Sequence, residues 1–256
     1  MIRSTWEQRI RRAEELASIH FAAAEILKFY IEIVRLQRTI HDDLKATNQS
    51  PADTTPLIPY FPPLLSLVSR TAPDTLAEAA EELSRSQNAF QELLITHWNT
   101  GPSNDPADEK YAFFARALLQ PYAEFLASRS DISLGGASLV CPFCGEKPVV
   151  GVLRGEGDGG KRSLVCSLCS TEWDFRRILC PGCGEEAVDK LPVYTAAGLE
   201  HIRVEACDAC GMYIKSVDLT RDGLAVPVVD ELATIPLNVW AEENGYQKLQ
   251  RNLLSM

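Results

Sequence analysis

Cys141-Pro-Phe-Cys144-Gly145, Cys166-Ser-Leu-Cys169-Ser170, Cys180-Pro-Gly-Cys183-Gly184 and Cys207-Asp-Ala-Cys210-Gly211 fall in one 71-residue window and hold all eight cysteines of the 256-residue chain. Two thiolates three positions apart can point at one ion when the backbone between them turns tightly and aims its N–H groups at the sulfurs. A glycine after the second cysteine eases that turn, because it takes positive φ at little cost. Gly145, Gly184 and Gly211 stand there; the second unit has Ser170. Eight ligands suffice for two tetrahedral four-sulfur sites. Sequential pairing puts Cys141, Cys144, Cys166 and Cys169 on one ion and Cys180, Cys183, Cys207 and Cys210 on the other. The gaps of 21 and 23 residues between paired units are close to those of zinc ribbons and suggest a duplicated module. An interleaved cross-brace uses the same residues. Spacing does not separate zinc from iron, since both accept four thiolates.

Disulfides are the competing use of cysteine. Eight cysteines in 256 residues are far below the density of a disulfide scaffold, and Met1 to Glu15 mixes Arg and Glu without an apolar leader core. A thioredoxin-type redox pair needs one CxxC at a helix start, not four in tandem. The expectation is therefore a soluble protein with reduced, metal-held cysteines, located in the cytoplasm and without membrane insertion.

Around the cysteines the pattern is of short strands: 148–153, 162–165, 172–175, 192–194, 200–205 and 212–218, separated by turn residues. Upstream the pattern is helical. Apolar residues from Phe21 to Leu44 recur at helical spacing, with Gln37 as a slip in the stripe, and a break near residues 18–21 divides this run from a first helix. Thr5 and Gln8 have capping-box spacing. The five prolines of 51–63 predict an extended connection. Helical patterns follow over 74–84, 86–98 and 108–128, with Pro121 expected to kink or split the last. The chain thus divides into an α-helical domain over 1–130, a linker over 131–138, a tandem metal-ribbon β domain over 139–224, and a tail over 225–256 with a short helix interrupted or begun at Pro236. The fold class is α+β.

No catalytic constellation is visible. His41-Asp42-Asp43 resembles an acid–base cluster on paper, but adjacent helical residues point apart. Trp173 is expected to pack the ribbon. Arg176 and Arg177 suit a carboxylate on a partner or plain solvation, and Tyr213 and Lys215 are similarly open. The formal net charge of −10, with 8 basic against 11 acidic residues in the cysteine window, opposes nucleic-acid binding.

One family shares these residues in this order. Cys141-Pro-Phe-Cys144-Gly145 with Pro148-Val149, Cys166-Ser-Leu-Cys169 with Glu172-Trp173, Glu205-Ala-Cys207-Asp-Ala-Cys210 with Tyr213-Ile-Lys215, then Asp230-Glu-Leu-Ala-Thr234 and Glu243-Asn-Gly245-Tyr246 resemble the formate dehydrogenase accessory proteins called FdhE. The resemblance implies a cytoplasmic chaperone-like assembly factor and not an enzyme. It implies a formate dehydrogenase catalytic subunit as partner, bound before export, and two rubredoxin-like sites that hold iron, with zinc fitting the same donors. Pro236 departs from the family pattern, which continues an apolar helix there. A rubredoxin-like electron carrier is the alternative, though a pure carrier has no need of a large helical domain. A zinc-ribbon nucleic-acid module is a further alternative, disfavoured by charge.

Overall fold

The computed structural model describes residues 4–47, 53–85, 87–101, 109–130, 138–156 and 159–256. The linker expected over 131–138 lies, apart from Ser138, outside the described residues. Packing divides the chain into two units: Met1–Lys28, Asp131–Asn252 and Met256 form one, Phe29–Ser130 and Leu253–Ser255 the other. Residues 1–28, which by pattern merely begin the helical run, thus group with the cysteine-bearing part.

The helical unit holds most of α2 (Ala24–Thr47), then α3 (Phe61–Thr71), α4 (Asp74–Ser84), α5 (Gln87–Thr100) and α6 (Glu109–Ser128). Gln37 proves to be a core residue of α2: its amide donates to the Ala117 carbonyl at 2.9 Å and to Gln120 Oε1 at 2.9 Å. A buried amide is tolerated once its donors are satisfied, which accounts for the slip in the stripe. The extended connection expected over 51–63 is corrected. Thr55–Tyr60 is a 3-10 turn, and α3 starts at Phe61. Pro62 and Pro63 occupy its first turn, where a missing N–H leaves no intrahelical bond unmade. Phe61 is buried and stacks on Phe90, while the Tyr60 hydroxyl donates to Asp43, so both aromatics pack internally. Pro121 lies inside α6, which runs through it as one helix.

The other unit opens with α1 (Trp6–Ile19), started by the expected capping box: Thr5 Oγ1 accepts from the Gln8 N–H, and Gln8 Oε1 accepts from the Thr5 N–H. A 3-10 turn at Phe21–Ala23 makes the break between α1 and α2. The remainder is one sheet built from β1 (Pro148–Glu156), β2 (Gly159–Cys166), β3 (Glu172–Phe175), β4 (Val193–Thr195), β5 (Ile202–Ala206), β6 (Met212–Asp218) and β7 (Gln247–Lys248). Two antiparallel ribbons, β3-β2-β1 and β6-β5-β4, join side by side through parallel pairing of β1 with β6; β7 adds to β6. The seam needs Gly151. Opposite Ser216 in register, a Cβ there would sit 2.1 Å from the Ser216 Oγ. Each ribbon is too small to bury an independent core, so fusion into one sheet lets both share apolar cover.

The tail holds two short helices, α7 (Pro227–Ala233) and α8 (Ile235–Glu243), and not one. Pro236 stands in the first turn of α8, so it begins a helix where the family pattern continues one. Leu237 and Ala241 of α8 join Val204, Ile202, Val217 and Tyr213 in the core on one face of the sheet, and α1 packs on α7.

Candidate metal centres and the acid pair beside them

Each CxxC unit folds into the same knuckle. The second-ribbon units show it clearly: the Cys180 N–H donates to the Glu185 carbonyl at 2.9 Å and the Gly184 N–H returns to the Cys180 carbonyl at 3.0 Å. The same two bonds recur at Cys141 with Glu146 and Gly145, and at Cys207 with Met212 and Gly211. The fifth residue of every unit has positive φ: 78° at Gly145, 79° at Gly184, 71° at Gly211 and 51° at Ser170. The serine unit therefore adopts the left-handed turn anyway, against the steric penalty of its Cβ. Between the cysteines, the N–H groups of Phe143, Leu168 and Gly182 point at Cys141, Cys166 and Cys180 Sγ at 3.3–3.4 Å.

The knuckles pair sequentially. Cys141, Cys144, Cys166 and Cys169 form one group and Cys180, Cys183, Cys207 and Cys210 the other, with the four sulfurs of each within 4.8 Å of one another. This decides between sequential and interleaved pairing. The closest Sγ···Sγ distances are 3.3–3.6 Å in the first group and 3.7 Å in the second. A disulfide requires about 2.05 Å. An ion bound tetrahedrally by sulfur at about 2.3 Å requires edges of about 3.8 Å. The donors and dimensions thus suit one four-coordinate ion per group. All eight cysteines are free of disulfides. The groups differ in access: Cys166 and Cys169 are sealed in the first, whereas Cys183 of the second is exposed. Without a cation, sulfurs so close cannot all ionise. Hydrogen bonds from neighbouring thiols pull Cys141 down, while burial pushes Cys166 well up.

The same unit holds a feature that the sequence pattern did not single out as a site. Asp230 and Glu231 of α7 are 1% and 0% exposed. Each is held by cations from distant parts of the chain. Asp230 accepts from Arg12 Nη2 at 2.6 Å and Nε at 3.1 Å, from His201 Nε2 at 3.1 Å, and from the Val226 N–H at 2.7 Å. Arg12 also reaches Asp222 at 2.6 Å. His201, Asp222 and Asp230 have metal-ligand spacing on their own, but the Arg12 guanidinium already fills the role of the cation there. Burial lowers the Arg12 pKa, and the two aspartates more than reverse it.

Glu231 accepts from Lys248, from Lys215 at 3.1 Å and from Asn252 at 3.0 Å. Complete burial would raise its pKa, yet Lys215 and Lys248 hold it at about 2. Lys215, itself 0% exposed, spends its remaining donors on the Glu231 and Thr234 carbonyls at 2.6 and 3.2 Å, which caps the C-terminal end of α7. Burial brings Lys215 down to about 8, against the pull of Glu231. One visible signal was an Asp-Glu pair inside the otherwise apolar run Val228 to Ala233; its cations could not be named from sequence.

The other flagged residues have internal partners. Trp173 is buried and donates to the Ser138 carbonyl at 2.9 Å, and Tyr213 donates to Asn238 Oδ1 at 3.1 Å. Arg176 pairs with Glu186 at 2.6 Å, whereas Arg177 has no ion-pair partner among the described residues. His41 is buried in α2 with its Nδ1 3.8 Å from Asp42 Oδ1, whereas Asp43 accepts from the Tyr60 hydroxyl, so the three do not form one cluster. Among the described residues no helix is long and apolar enough to cross a membrane.

Comparison with known proteins bears on both features. The family model of the FdhE central domain matches residues 140–177, which carry the first four-cysteine group, and that of the FdhE C-terminal domain matches 178–255, which carry the second group and the acid pair. A crystal structure of the FdhE protein from Pseudomonas aeruginosa has the same fold, with a TM-score of 0.72, 24% identity and coverage of 98% of this chain and 95% of that one. An FdhE homolog from Pectobacterium carotovorum is 29% identical over 98% of this chain and 87% of the relative. One from Aquifex aeolicus is 32% identical over 82% of this chain and 74% of its own length. With that identity and coverage, the chain belongs to the FdhE family.

Proposed function

We propose that the chain is a non-catalytic accessory factor in formate dehydrogenase assembly, acting in the cytoplasm and docking the catalytic subunit before its export. Family membership over nearly the full chain, with both four-cysteine groups present, carries this reading. Cys141, Cys144, Cys166 and Cys169 would hold one ion, and Cys180, Cys183, Cys207 and Cys210 a second. Bound iron would supply one-electron chemistry and bound zinc only structure. The residues themselves order the sulfurs: the knuckle turns aim N–H groups at them, and the joined sheet holds both groups in one unit. The catalytic subunit of a formate dehydrogenase, presented to immobilised, anaerobically prepared protein, is expected to be retained over a control bait. No retention with the subunit present would overturn the docking role. Metal analysis with a visible spectrum separates the metals, since ferric tetrathiolate absorbs there and zinc does not. The exposed Cys183 favours a second reading, electron transfer through the second group. A visible spectrum unchanged by reductant would remove it.

A further inference from the structure

The sheet of the cysteine-bearing unit is covered unequally. Along β4, Tyr194 turns to one face, where its ring meets Trp240 of α8 at 4.6 Å between centroids. Val193 must then face the other way, because strand side chains alternate. In register, Val193 lies beside Glu205 of β5, and Glu205 beside Ile214 of β6. These three residues line a hollow of about 430 Å³ that extends to Cys180 and Cys207 of the second group. Its rim is aliphatic and open: Ile178, Val188 and Val193 are 50%, 67% and 53% exposed. These three residues give one concavity an exposed aliphatic rim that a partner's apolar side chains could cover.

Two further observations limit what the hollow accepts. Besides Cys180 and Cys207 of the metal group, its charged lining is Arg162, Arg177, Arg203 and Glu205. Arg162 and Arg203 share Glu205, at 2.5 and 3.0 Å, and Arg177 has no ion-pair partner among the described residues. Arg177 is therefore the cation of this lining without a carboxylate against it among the described residues. β4 is also an outer strand of the sheet. The Ala206 N–H bonds to the Pro192 carbonyl, and Tyr194 lies opposite Val204, so the backbone groups of Val193 and Thr195 point to the open edge. An extended segment that pairs with this edge gains main-chain hydrogen bonds and drops alternate side chains into the hollow.

We propose that this edge and hollow dock an extended segment of the formate dehydrogenase catalytic subunit that combines aliphatic side chains with at least one carboxylate. The aliphatic side chains cover Ile178, Val188 and Val193, and the carboxylate takes Arg177. This deepens the accessory reading and rests on it.

The test uses the full-length, metal-loaded chain on a biosensor surface, with purified formate dehydrogenase catalytic subunit as analyte. Val193→Asp and Arg177→Glu, both changes at exposed positions, are expected to weaken binding about ten-fold or more each. Leu224→Asp, at an 80%-exposed residue that does not line this hollow, is expected to bind like the unaltered chain. Metal content and thermal midpoint serve as the fold control for all three. Absence of binding by the unaltered chain would overturn the accessory reading. Binding by the unaltered chain that Val193→Asp and Arg177→Glu leave intact would overturn the docking site alone. Sedimentation showing a dimer that Val193→Asp dissolves, with subunit binding retained, would assign the face to a second copy and likewise overturn it. On overlapping peptides from the catalytic subunit, the strongest binders are expected to be acidic-aliphatic segments; preference for basic segments would contradict the proposal.

Discussion

Four cysteine knuckles and one acid pair bind the same unit together by the same physical means and are written into the chain in opposite ways. In each, anionic groups are gathered close together. The knuckles concentrate eight sulfurs into two groups sized for an ion. The acid pair concentrates two carboxylates on α7 and meets them with Arg12, His201, Lys215 and Lys248. Both sulfurs of each knuckle, half of a four-sulfur group, lie within four residues, so its geometry is local. The acid pair is closed by residues up to 218 positions away. Local anions need a cation from outside the chain; distant ones can be neutralised by the chain itself, and doing so ties α1, β6 and the tail to one short helix. The shifts of the Lys215 and Glu231 pair oppose each other in their effect on stability near neutral pH. Such a pair adds little net stability while making loss of either partner costly.

The largest effect is expected at the sulfurs. Cys180→Ala with Cys183→Ala should abolish one ion and unfold the second ribbon, because structural ions in small modules supply about 10 kcal/mol or more of folding free energy. Circular dichroism melts with metal analysis check this, and an unaltered melt would end the parallel between ion and side-chain cation. Next comes the acid pair. Glu231→Gln strands Lys215 and Lys248 in a dry site and should cost about 3–5 kcal/mol in urea unfolding. A cost below 1 kcal/mol would mean that water reaches the site.

Acid should probe the same residue. A carboxylate held at about 2 in the folded chain stabilises it above its ordinary value of 4.5, and that contribution is lost as pH falls from 4.5 through 2. The Glu231→Gln variant should lack this loss. His97 gives the contrast of a buried group without an anionic cage. Burial, aided by Arg116, brings it down to about 4. The unfolded chain then binds the extra proton between 6.5 and 4, so stability should decline as pH falls through that window, by up to about 3 kcal/mol. His97→Phe should flatten that part of the profile; an unchanged slope would place the titration elsewhere. The smallest effect is local. Ser170→Gly relieves a side chain at φ 51° and should add about 0.5–1 kcal/mol. Destabilisation instead would show that the serine side chain contributes more than its strain costs.

What was readable in advance follows the same division. The knuckles, the strands around them and the capping box at Thr5 depend on neighbours a few residues apart, and their positions were legible. The exposed-core decision at Gln37 was not, because Ala117 and Gln120 satisfy it from another helix. The prolines at 62 and 63 argued for extended chain, but in a first helical turn they cost nothing. Pro236 acts the same way at the start of α8. The grouping of α1 with the sheet turns on Arg12, an ordinary helical arginine until Asp230 is brought beside it. The match between sequential and interleaved sulfur pairing was also undecidable by spacing and needed the fold.

Metal stoichiometry tests the central claim most directly. The anaerobically purified chain should carry two ions per molecule. Cys180→Ala with Cys183→Ala should carry one, and the first group should retain it. A chain without bound ion, or a double variant with its ratio unchanged, would contradict two separate four-sulfur sites.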